Sequence, residues 1–293
     1  MSAARFTVED VRLASAGDVD AVVLADTVEG SRVTVVPSRG GLVTSLFARG
    51  RECLYLDEAT LRDPTQNVRG GVPVLFPSPG KLAGERYAFG GHERAMKQHG
   101  FARRCAFREV SRYGGPSGQA QVELELTDSD VTRAEYPWPF RLRILYGLRY
   151  AQLTLTATVT NTGAEAMPFA LGYHPYFAVA DAAKAQCVIP TESKRAWDNV
   201  RREERDLGSI DLSSGEVDLH LAELTHGAEL IAPWGRVTLG GHLNHWVVWT
   251  LPGRDFVCLE PWFAPRDALN TGVDLVVLPP GATRVFAETF FVG

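Results

Sequence analysis

The chain of 293 residues contains few cysteines, and none of them forms a Cys-x-x-Cys pair. This scatter predicts buried free thiols in a reducing cytoplasm rather than a disulfide framework or a thiolate metal site. No run approaches the roughly 18 apolar residues that a membrane helix requires, so no membrane partner is expected. Residues 1–20 lack a basic segment followed by an apolar run, which argues against a signal peptide. The four cysteines are Cys53, Cys105, Cys187 and Cys258.

An excess of basic residues is also missing. The chain has 30 Lys and Arg against 35 Asp and Glu, and its formal net charge is −5. This balance argues against a nucleic-acid partner, because a nucleic-acid-binding surface is strongly basic. A small local group of cations is still compatible with the total.

Amphipathic helices of three or more turns are hard to find, and we predict short helical turns only at residues 64–68 and 219–224. The dominant hydrophobic period is two, which is typical of half-buried strands. Threonines recur in residues 152–160, and their β-branched side chains favour strands. The predicted strands are residues 21–25, 33–36, 42–47, 121–127, 141–150, 152–160, 247–251, 256–259 and 284–292.

This strand pattern covers most of the chain, and no long linker, charge block, repeat or low-complexity tract interrupts it. We therefore predict an all-β protein with one domain over residues 1–293. The simplest architecture is a large antiparallel β-sandwich whose concave face is a natural place for a ligand.

Four loop-like segments gather Gly or Pro with His, Glu, Arg and aromatic residues. Such rigid turns suit a sugar site, because sugar hydroxyls need directional hydrogen bonds and sugar C–H faces stack on aromatic rings. Each segment alone also has a structural explanation: a tight turn at Gly70-Gly71, a core histidine at His174, or an ion-pair partner at Glu260. The segments are 68–82 (VRGGVPVLFPSPGKL), 98–104 (QHGFARR), 170–177 (ALGYHPYF) and 258–272 (CLEPWFAPRDALNTG).

Together, and in this order, the four segments resemble the motifs of aldose 1-epimerases and their hexose-6-phosphate 1-epimerase relatives. The matches run from about residue 30 to residue 290 and include the Leu278-Pro-Pro-Gly281 turn. The resemblance implies a galactose mutarotase-like β-supersandwich. It also implies an isomerase that interconverts the α and β anomers of a sugar without a metal or an organic cofactor.

Mutarotation requires one proton to reach the ring oxygen and another to leave the C1 hydroxyl. Histidine suits the acid role because its ordinary pKa is about 6.5, and a carboxylate suits the base role. The resemblance assigns these roles to His174, in the His-Pro-Tyr-Phe strand, and Glu260, in the Glu-Pro-Trp segment.

The resemblance also implies a set of sugar-binding residues. His99 corresponds to a second family histidine near the reacting end of the sugar, and loop bracing is its alternative. Arg103 is alternatively a structural ion pair, and Lys81 a solvated side chain. Asp218 rests on a weak local motif. The complete predicted binding set is Arg69, Lys81, Gln98, His99, Arg103 and Asp218.

Several other residues are not assigned a role at the site. Stacking on the sugar and core packing are equally open for Tyr176 and Trp262. Residues 201–205 are interpreted as a solvated charged loop. A metal site at His242 and His245 is disfavoured, because no third ligand has suitable spacing. The remaining histidines form no evident constellation: His92, His220 and His226.

The partner is expected to be a small-molecule sugar or sugar phosphate, with a free hexose as the first expectation and a hexose 6-phosphate as the alternative. The Glu-Pro-Trp to Ala-Leu-Asn-Thr-Gly segment favours a free hexose. Arg69, directly before Gly-Gly, favours a hexose 6-phosphate, and with Lys81 and Arg103 it offers groups that bind phosphate oxygens. An alternative of another class is a carbohydrate-binding protein without turnover, although such a protein would need neither His174 nor Glu260.

Overall fold

A computed structural model describes residues 4–14, 17–222 and 225–293. Within these ranges the chain forms 24 strands and three short α-helices. The helices are α1 (Glu58–Arg62), α2 (Asp130–Glu135) and α3 (Ala268–Thr271). The strands are β1 (Phe6–Leu13), β2 (Val19–Asp26), β3 (Ser31–Val36), β4 (Leu42–Ala48), β5 (Arg51–Glu52), β6 (Val74–Leu75), β7 (Arg86–Phe89), β8 (His92–Ala95), β9 (Arg108–Tyr113), β10 (Ala120–Thr127), β11 (Phe140–Arg149), β12 (Gln152–Asn161), β13 (Met167–Phe169), β14 (Gly172–Tyr173), β15 (Tyr176–Ala178), β16 (Arg195–Asp198), β17 (Glu203–Asp206), β18 (Val217–Leu221), β19 (Gly227–Ala232), β20 (Gly235–Gly241), β21 (His245–Thr250), β22 (Phe256–Trp262), β23 (Val276–Leu278) and β24 (Thr283–Val292).

Three sheets carry most of the fold. A five-stranded sheet has the order β1-β2-β3-β4-β5, and a seven-stranded sheet has the order β19-β20-β24-β12-β11-β10-β9. An eight-stranded sheet has the order β17-β16-β18-β21-β22-β14-β6, with β15 also paired to β22. The paired strands are antiparallel, so the predicted all-β antiparallel class is confirmed. In the described ranges no helix is both long and apolar enough to span a bilayer.

The period-two pattern decides which side chains enter the core. In β11, Leu142, Ile144 and Leu148 are fully buried, and Leu142 and Ile144 pair with Val159 and Ala157 of β12. The threonines of β12 lie on the opposite, partly exposed face. Burial of each large aliphatic side chain contributes about 1.5–3 kcal/mol, so these two long strands are a main source of stability.

The two predicted helical turns are wrong. At residues 64–68 the chain makes a turn, and helix α1 lies just before it, where the Asp57 carboxylate accepts a hydrogen bond from the Ala59 amide at 3.0 Å. Pro64 disfavours helical geometry at the preceding residue, so α1 ends there. At residues 219–224, the part up to residue 221 belongs to β18, whose alternating burial follows a strand period; residues 223–224 lie outside the described residues.

The charged segment 201–205 only partly matches its interpretation as a solvated loop. Arg201 and Arg202 are exposed, but the segment then enters strand β17. The Arg205 guanidinium lies 3.3 Å from the Asp198 carboxylate, which ties β17 to β16. The four cysteines are free as predicted; Cys105 is partly exposed, and the other three are buried.

Two glycines, Gly71 and Gly100, allow the 68–82 and 98–104 segments to pack closely against neighbouring backbone. Gly71 has a φ of 65°, and a Cβ atom there would lie 2.2 Å from the Val43 carbonyl oxygen. Gly100 has a φ of 66°, and its Cβ would lie 2.2 Å from the Phe76 carbonyl oxygen. Both positions therefore require glycine for conformation and for space. They also fix the backbone next to Arg69 and His99.

One carboxyl group lies within the sandwich away from the four motif segments. Glu288 of β24 is fully buried, and its Oε2 accepts a hydrogen bond from the Leu243 amide at 3.4 Å. Its Oε1 has no hydrogen-bond partner among the described residues. Burial raises the pKa of the Glu288 carboxyl to about 8. The protein therefore keeps this group uncharged at neutral pH, because an unpaired buried charge is costly.

We predict that Gly71→Ala destabilises the fold by at least about 2 kcal/mol more than Gly50→Ala, since overpacking against backbone adds to the conformational strain. Gly50 is a matched control: it also has a positive φ (78°), but nothing lies within 4 Å of its Cβ position. Urea denaturation of both variants measures the difference. Equal losses of stability would contradict the packing argument.

We further predict that the wild type loses stability relative to Glu288→Gln as the pH rises from 5 to 8. The free energy of unfolding of the variant minus that of the wild type should therefore increase over this range. The ordinary pKa of Glu288 is 4.5, and the folded state raises it to about 8. The group's stabilising contribution is complete below pH 4.5 and is lost as the pH approaches 8, because only the unfolded chain ionises in this window. Denaturation midpoints across that range test this, and a constant difference would refute it.

Candidate active site

Strand pairing places the two predicted catalytic residues opposite each other. Strand β22 pairs with both β14 and β15, through Gly172 with Trp262 and Tyr176 with Cys258. The same antiparallel register carried through the residues between β14 and β15 sets His174 opposite Glu260. The His174 amide is held by a 3.1 Å hydrogen bond to the Pro73 carbonyl, which fixes this connecting segment to the 68–82 loop.

The His174 and Glu260 side chains meet at the floor of a cavity. His174 Nε2 lies 3.3 Å from Glu260 Oε1, and both side chains are buried. Burial lowers the pKa of the His174 imidazole well below its usual value, and His99 and Arg103 lower it further. Burial raises the pKa of the Glu260 carboxyl well above its usual value, and the charge of Asp218 adds to this effect.

These shifts favour the uncharged forms of both partners. A neutral imidazole beside a protonated carboxyl holds the same number of protons as an imidazolium beside a carboxylate. The pair therefore carries one transferable proton across a short contact. Trp262 Nε1 donates a hydrogen bond to Glu260 Oε2 at 3.2 Å, which orients the carboxyl and favours its charged form.

A second histidine stands edge-on to this pair. The ring centroids of His99 and His174 are 5.3 Å apart. His99 Nδ1 lies 2.5 Å from the Pro79 carbonyl oxygen, and since a carbonyl only accepts, Nδ1 carries the proton. Burial, with the Arg103 charge, lowers the pKa of His99 to about 3. His99 therefore presents a neutral ring whose Nε2 is a hydrogen-bond acceptor.

Aromatic rings form one wall beside the pair. The Tyr176 ring is stacked on His174 with centroids 4.6 Å apart and an interplanar angle of 8°. The Trp249 ring meets His174 edge-on at 5.6 Å. Tyr176 and Trp262 both line the cavity, and both are buried, so the structure places them at the cavity without separating core packing from stacking on a sugar.

All eight predicted site residues line the same cavity, whose volume is about 400 Å³. His99, His174 and Glu260 form its buried part. Exposed side chains stand at its mouth, and three of them are cations: Arg69, Lys81 and Arg266. The remaining predicted residues are Gln98, which is exposed, and Arg103 and Asp218, which are half-buried.

Arg103 lies between the mouth and the floor. Burial lowers the pKa of its guanidinium to about 10, so the group still carries its charge at neutral pH. Arg103 Nη2 donates a hydrogen bond to the Gln98 carbonyl at 3.1 Å. No ion pair of Arg103 occurs within the part of the chain that the structure describes, which is against its structural ion-pair alternative.

Two ionisable residues of this cavity were not predicted from the sequence, His220 and Arg266. His220 lines the cavity although the sequence showed no constellation around it, and its Nε2 lies 3.7 Å from Asp218 Oδ1. The available signal was the spacing of two between Asp218 and His220, which puts both on one face of β18. Arg266 also lines the cavity, with its Cζ 4.0 Å from the Trp197 ring centroid.

Asp218 is held in place by Asn199, whose Nδ2 donates to Asp218 Oδ2 at 2.7 Å. Burial raises the pKa of the Asp218 carboxyl. Burial also lowers the pKa of His220 to about 4, and Arg266 adds to this shift. Asp218, Asn199 and His220 therefore offer both hydrogen-bond donors and acceptors to the cavity.

The remaining histidines have separate partners. His242 Nδ1 accepts a hydrogen bond from the Ala287 amide at 2.8 Å, and His245 Nε2 lies 2.9 Å from Asp274 Oδ2. His92 Nε2 lies 2.8 Å from Glu165 Oε2. These contacts agree with structural roles for the three histidines.

Comparison with known proteins matches residues 21–289 to the aldose 1-epimerase family. A relative from Cenchrus ciliaris, provisionally named a glucose-6-phosphate 1-epimerase, is 31% identical over 191 residues. That match covers 61% of this chain and 54% of the relative, so the chain spans about half the length of this curated relative.

Solved structures agree with this assignment. The Slr1438 protein of Synechocystis sp. PCC 6803 is 32% identical and superposes with a TM-score of 0.88 over 93% of this chain and 95% of its own. A galactose mutarotase-like protein from Clostridium acetobutylicum shares the fold at 17% identity, with a TM-score of 0.82 over 99% of each chain. With the family match over most of its length, the chain belongs to the aldose 1-epimerase family, whose enzymes are isomerases.

Proposed function

We propose that this protein interconverts the α and β anomers of a hexose 6-phosphate. The observation that carries the proposal is the arrangement of one cavity: a buried His174–Glu260 pair at the floor, and three exposed cations at the mouth. The pair supplies proton transfer, and the cations supply recognition of an anion. The provisional name of the Cenchrus ciliaris relative supports the same substrate class.

The reaction follows from the position of the pair. The ring oxygen and the C1 hydroxyl are bonded to the same carbon, so neighbouring acid and base groups can reach both. Glu260, as carboxylate, removes the proton of the C1 hydroxyl while His174, as imidazolium, protonates the ring oxygen. The bond between C1 and the ring oxygen breaks and an aldehyde forms. C1 rotates, and the reverse transfers close the ring on its other face.

The pair reaches this reactive form without a proton from outside. Transfer of the Glu260 proton to His174 across 3.3 Å converts the resting neutral pair into imidazolium and carboxylate. The Trp262 hydrogen bond and the Arg103 charge both favour the carboxylate. General acid and base groups each typically contribute about 10²–10⁴-fold in rate.

The mouth suits a phosphate on C6. C6 and C1 lie at opposite ends of the open-chain skeleton, so a sugar with C1 at the floor can direct its 6-substituent outward. Guanidinium groups bind phosphate oxygens in a bidentate way, and Arg69 and Arg266 both offer them. Lys81 adds a point charge. The stacking of Arg266 on Trp197 restricts its position and reduces the entropy lost on binding.

A free hexose is the second candidate substrate. The Ala-Leu-Asn-Thr-Gly sequence after the Glu-Pro-Trp segment favours a free hexose. Asp218 and Asn199 are also hydrogen-bonded to each other and form a polar pair suited to sugar hydroxyls. The mechanism at the floor is the same for both substrates. The third possibility, a sugar-binding protein without turnover, is tested by measuring anomer exchange in the wild type.

We predict that His174→Ala or Glu260→Gln lowers the catalysed rate of anomer exchange by at least about a hundredfold, because each removes one of two proton-transfer groups. Polarimetry or NMR exchange spectroscopy above the spontaneous rate measures this. Glu288→Gln is the matched control, since Glu288 is also a buried carboxyl with a raised pKa but does not line the cavity. It should keep the wild-type rate.

Two results would oppose this assignment. Near-wild-type exchange in either site variant, with circular dichroism showing a folded protein, would refute the catalytic role of His174 and Glu260. Sugar binding by the wild type without accelerated exchange would show that the protein is a sugar-binding protein and not an epimerase.

We predict a higher kcat/KM for glucose 6-phosphate than for glucose. In Arg69→Ala and Lys81→Ala this value should fall about tenfold or more for the phosphate and change little for glucose, since a charge-assisted hydrogen bond contributes about 1.5–3 kcal/mol. Arg254→Ala, an exposed arginine outside the cavity, is the control. Equal preference for both sugars, unaffected by the variants, would favour the free hexose.

A further inference from the structure

A thiol lies beside the His174–Glu260 pair, and the reaction does not use it. Cys258 precedes Glu260 by two residues on β22, so both side chains lie on the same face of the strand. A ring nitrogen of His174, the Cys258 sulfur and a Glu260 carboxylate oxygen all lie within 4.8 Å of one another. All three residues are buried.

We propose that His174, Cys258 and Glu260 form a binding site for a thiophilic divalent cation such as Zn²⁺, and that occupation of this site inhibits the enzyme. The inhibition rests on the function proposed above, whereas the binding does not. The ion would act as an inhibitor because it engages the imidazole and carboxylate that the proton transfers require.

The donor set matches the preferences of zinc. Thiolate, imidazole and carboxylate are the three side-chain ligand types of zinc, with bonds of about 2.0–2.3 Å. In a tetrahedral site such bonds place donors roughly 3.3–3.8 Å apart. His174 and Glu260 already lie 3.3 Å apart. The wider separations to the sulfur close with a shift of about 1 Å, which side-chain rotation supplies.

His174 is available for this role. Its Nδ1 is buried and has no hydrogen-bond partner in residues 4–14, 17–222 and 225–293, and its Nε2 faces Glu260. The ring is therefore not fixed by a backbone carbonyl, in contrast to His99 with Pro79. A metal on Nε2 would take the place of the direct His174–Glu260 contact and would break no hydrogen bond of Nδ1.

An ion can reach His174 and Glu260 through the sugar cavity, which both residues line, and the Cys258 sulfur lies within 4.8 Å of their ligand atoms. Three protein ligands leave the fourth tetrahedral position open toward the cavity for water or a sugar hydroxyl. As the ion binds, the Cys258 thiol and the protonated Glu260 carboxyl each release a proton to solvent. Thiolate and carboxylate then balance the charge of the ion. The Arg103 charge opposes the ion, and the Asp218 charge favours it.

Metal binding is tested on the whole protein with Co²⁺ and Zn²⁺. We expect one Co²⁺ per chain with a thiolate-to-cobalt charge-transfer band, displaced by Zn²⁺. Cys258→Ala should lose the band and bind Zn²⁺ about 100-fold or more weakly, because even loss of partners outside the ligand shell costs about 10–100-fold in metal affinity. Cys258→Ser, which keeps the volume, should also lose the band. Cys187→Ala, a buried free cysteine elsewhere, should behave as wild type.

Inhibition is tested on the same proteins by anomer exchange. Zn²⁺ should abolish wild-type exchange, a chelator should restore it, and Cys258→Ala should keep its metal-free rate and resist Zn²⁺. A cobalt band that persists in folded Cys258→Ala and Cys258→Ser overturns the site, as does the absence of binding to the wild type. Stimulation by Zn²⁺, or equal inhibition of Cys258→Ala, overturns the inhibitory role. A wild type without exchange activity refutes the proposed function, while the cobalt band still reports on the site.

Discussion

The site depends on the register in which β22 pairs with β14 and β15. Gly172 lies opposite Trp262 and Tyr176 opposite Cys258, so the residue between them, His174, faces Glu260. Because side chains alternate along a strand, a slip of one residue would turn the carboxyl toward the other face of the sheet. The Pro73 and Gly71 carbonyls, which accept hydrogen bonds from the amides of His174 and Tyr176, tie this segment to the 68–82 loop and oppose such a slip.

Burial of an acid beside a base would be costly if both were charged. Moving either ion out of water carries a penalty of several kcal/mol, and a buried ion pair recovers it only with good geometry and further hydrogen bonds. The resting pair avoids much of this cost because burial favours a neutral His174 and a protonated Glu260. The reactive form is charge-separated and therefore disfavoured by low polarity, but it requires a single proton to move between neighbouring atoms, and the Trp262 hydrogen bond and the Arg103 charge favour its carboxylate.

The sequence predicted much of the fold because period-two burial is a local property, visible in β10, β11, β12 and β24 without knowledge of their partners. The four motif segments likewise indicated the residues that the cavity collects. Arg266 lies within the 258–272 segment but was not assigned a role there. His220 shares one face of β18 with Asp218, but its place at the site depends on the pairing of β18 with β21 and of β21 with β22, which the sequence does not show.

The cavity separates two physical regimes. At the floor, exclusion of water controls protonation, and the pKa values of His99, His174 and Glu260 all move toward the neutral form. At the mouth, Arg69, Lys81 and Arg266 are exposed to solvent, so salt screens their attraction for an anion over a distance of about 8 Å at physiological ionic strength. Under the proposed function, changes at the mouth would therefore act on which sugar is captured, while changes at the floor would act on the chemistry. The same proton-transfer pair would then serve free and phosphorylated sugars, with the difference between them confined to a few exposed side chains.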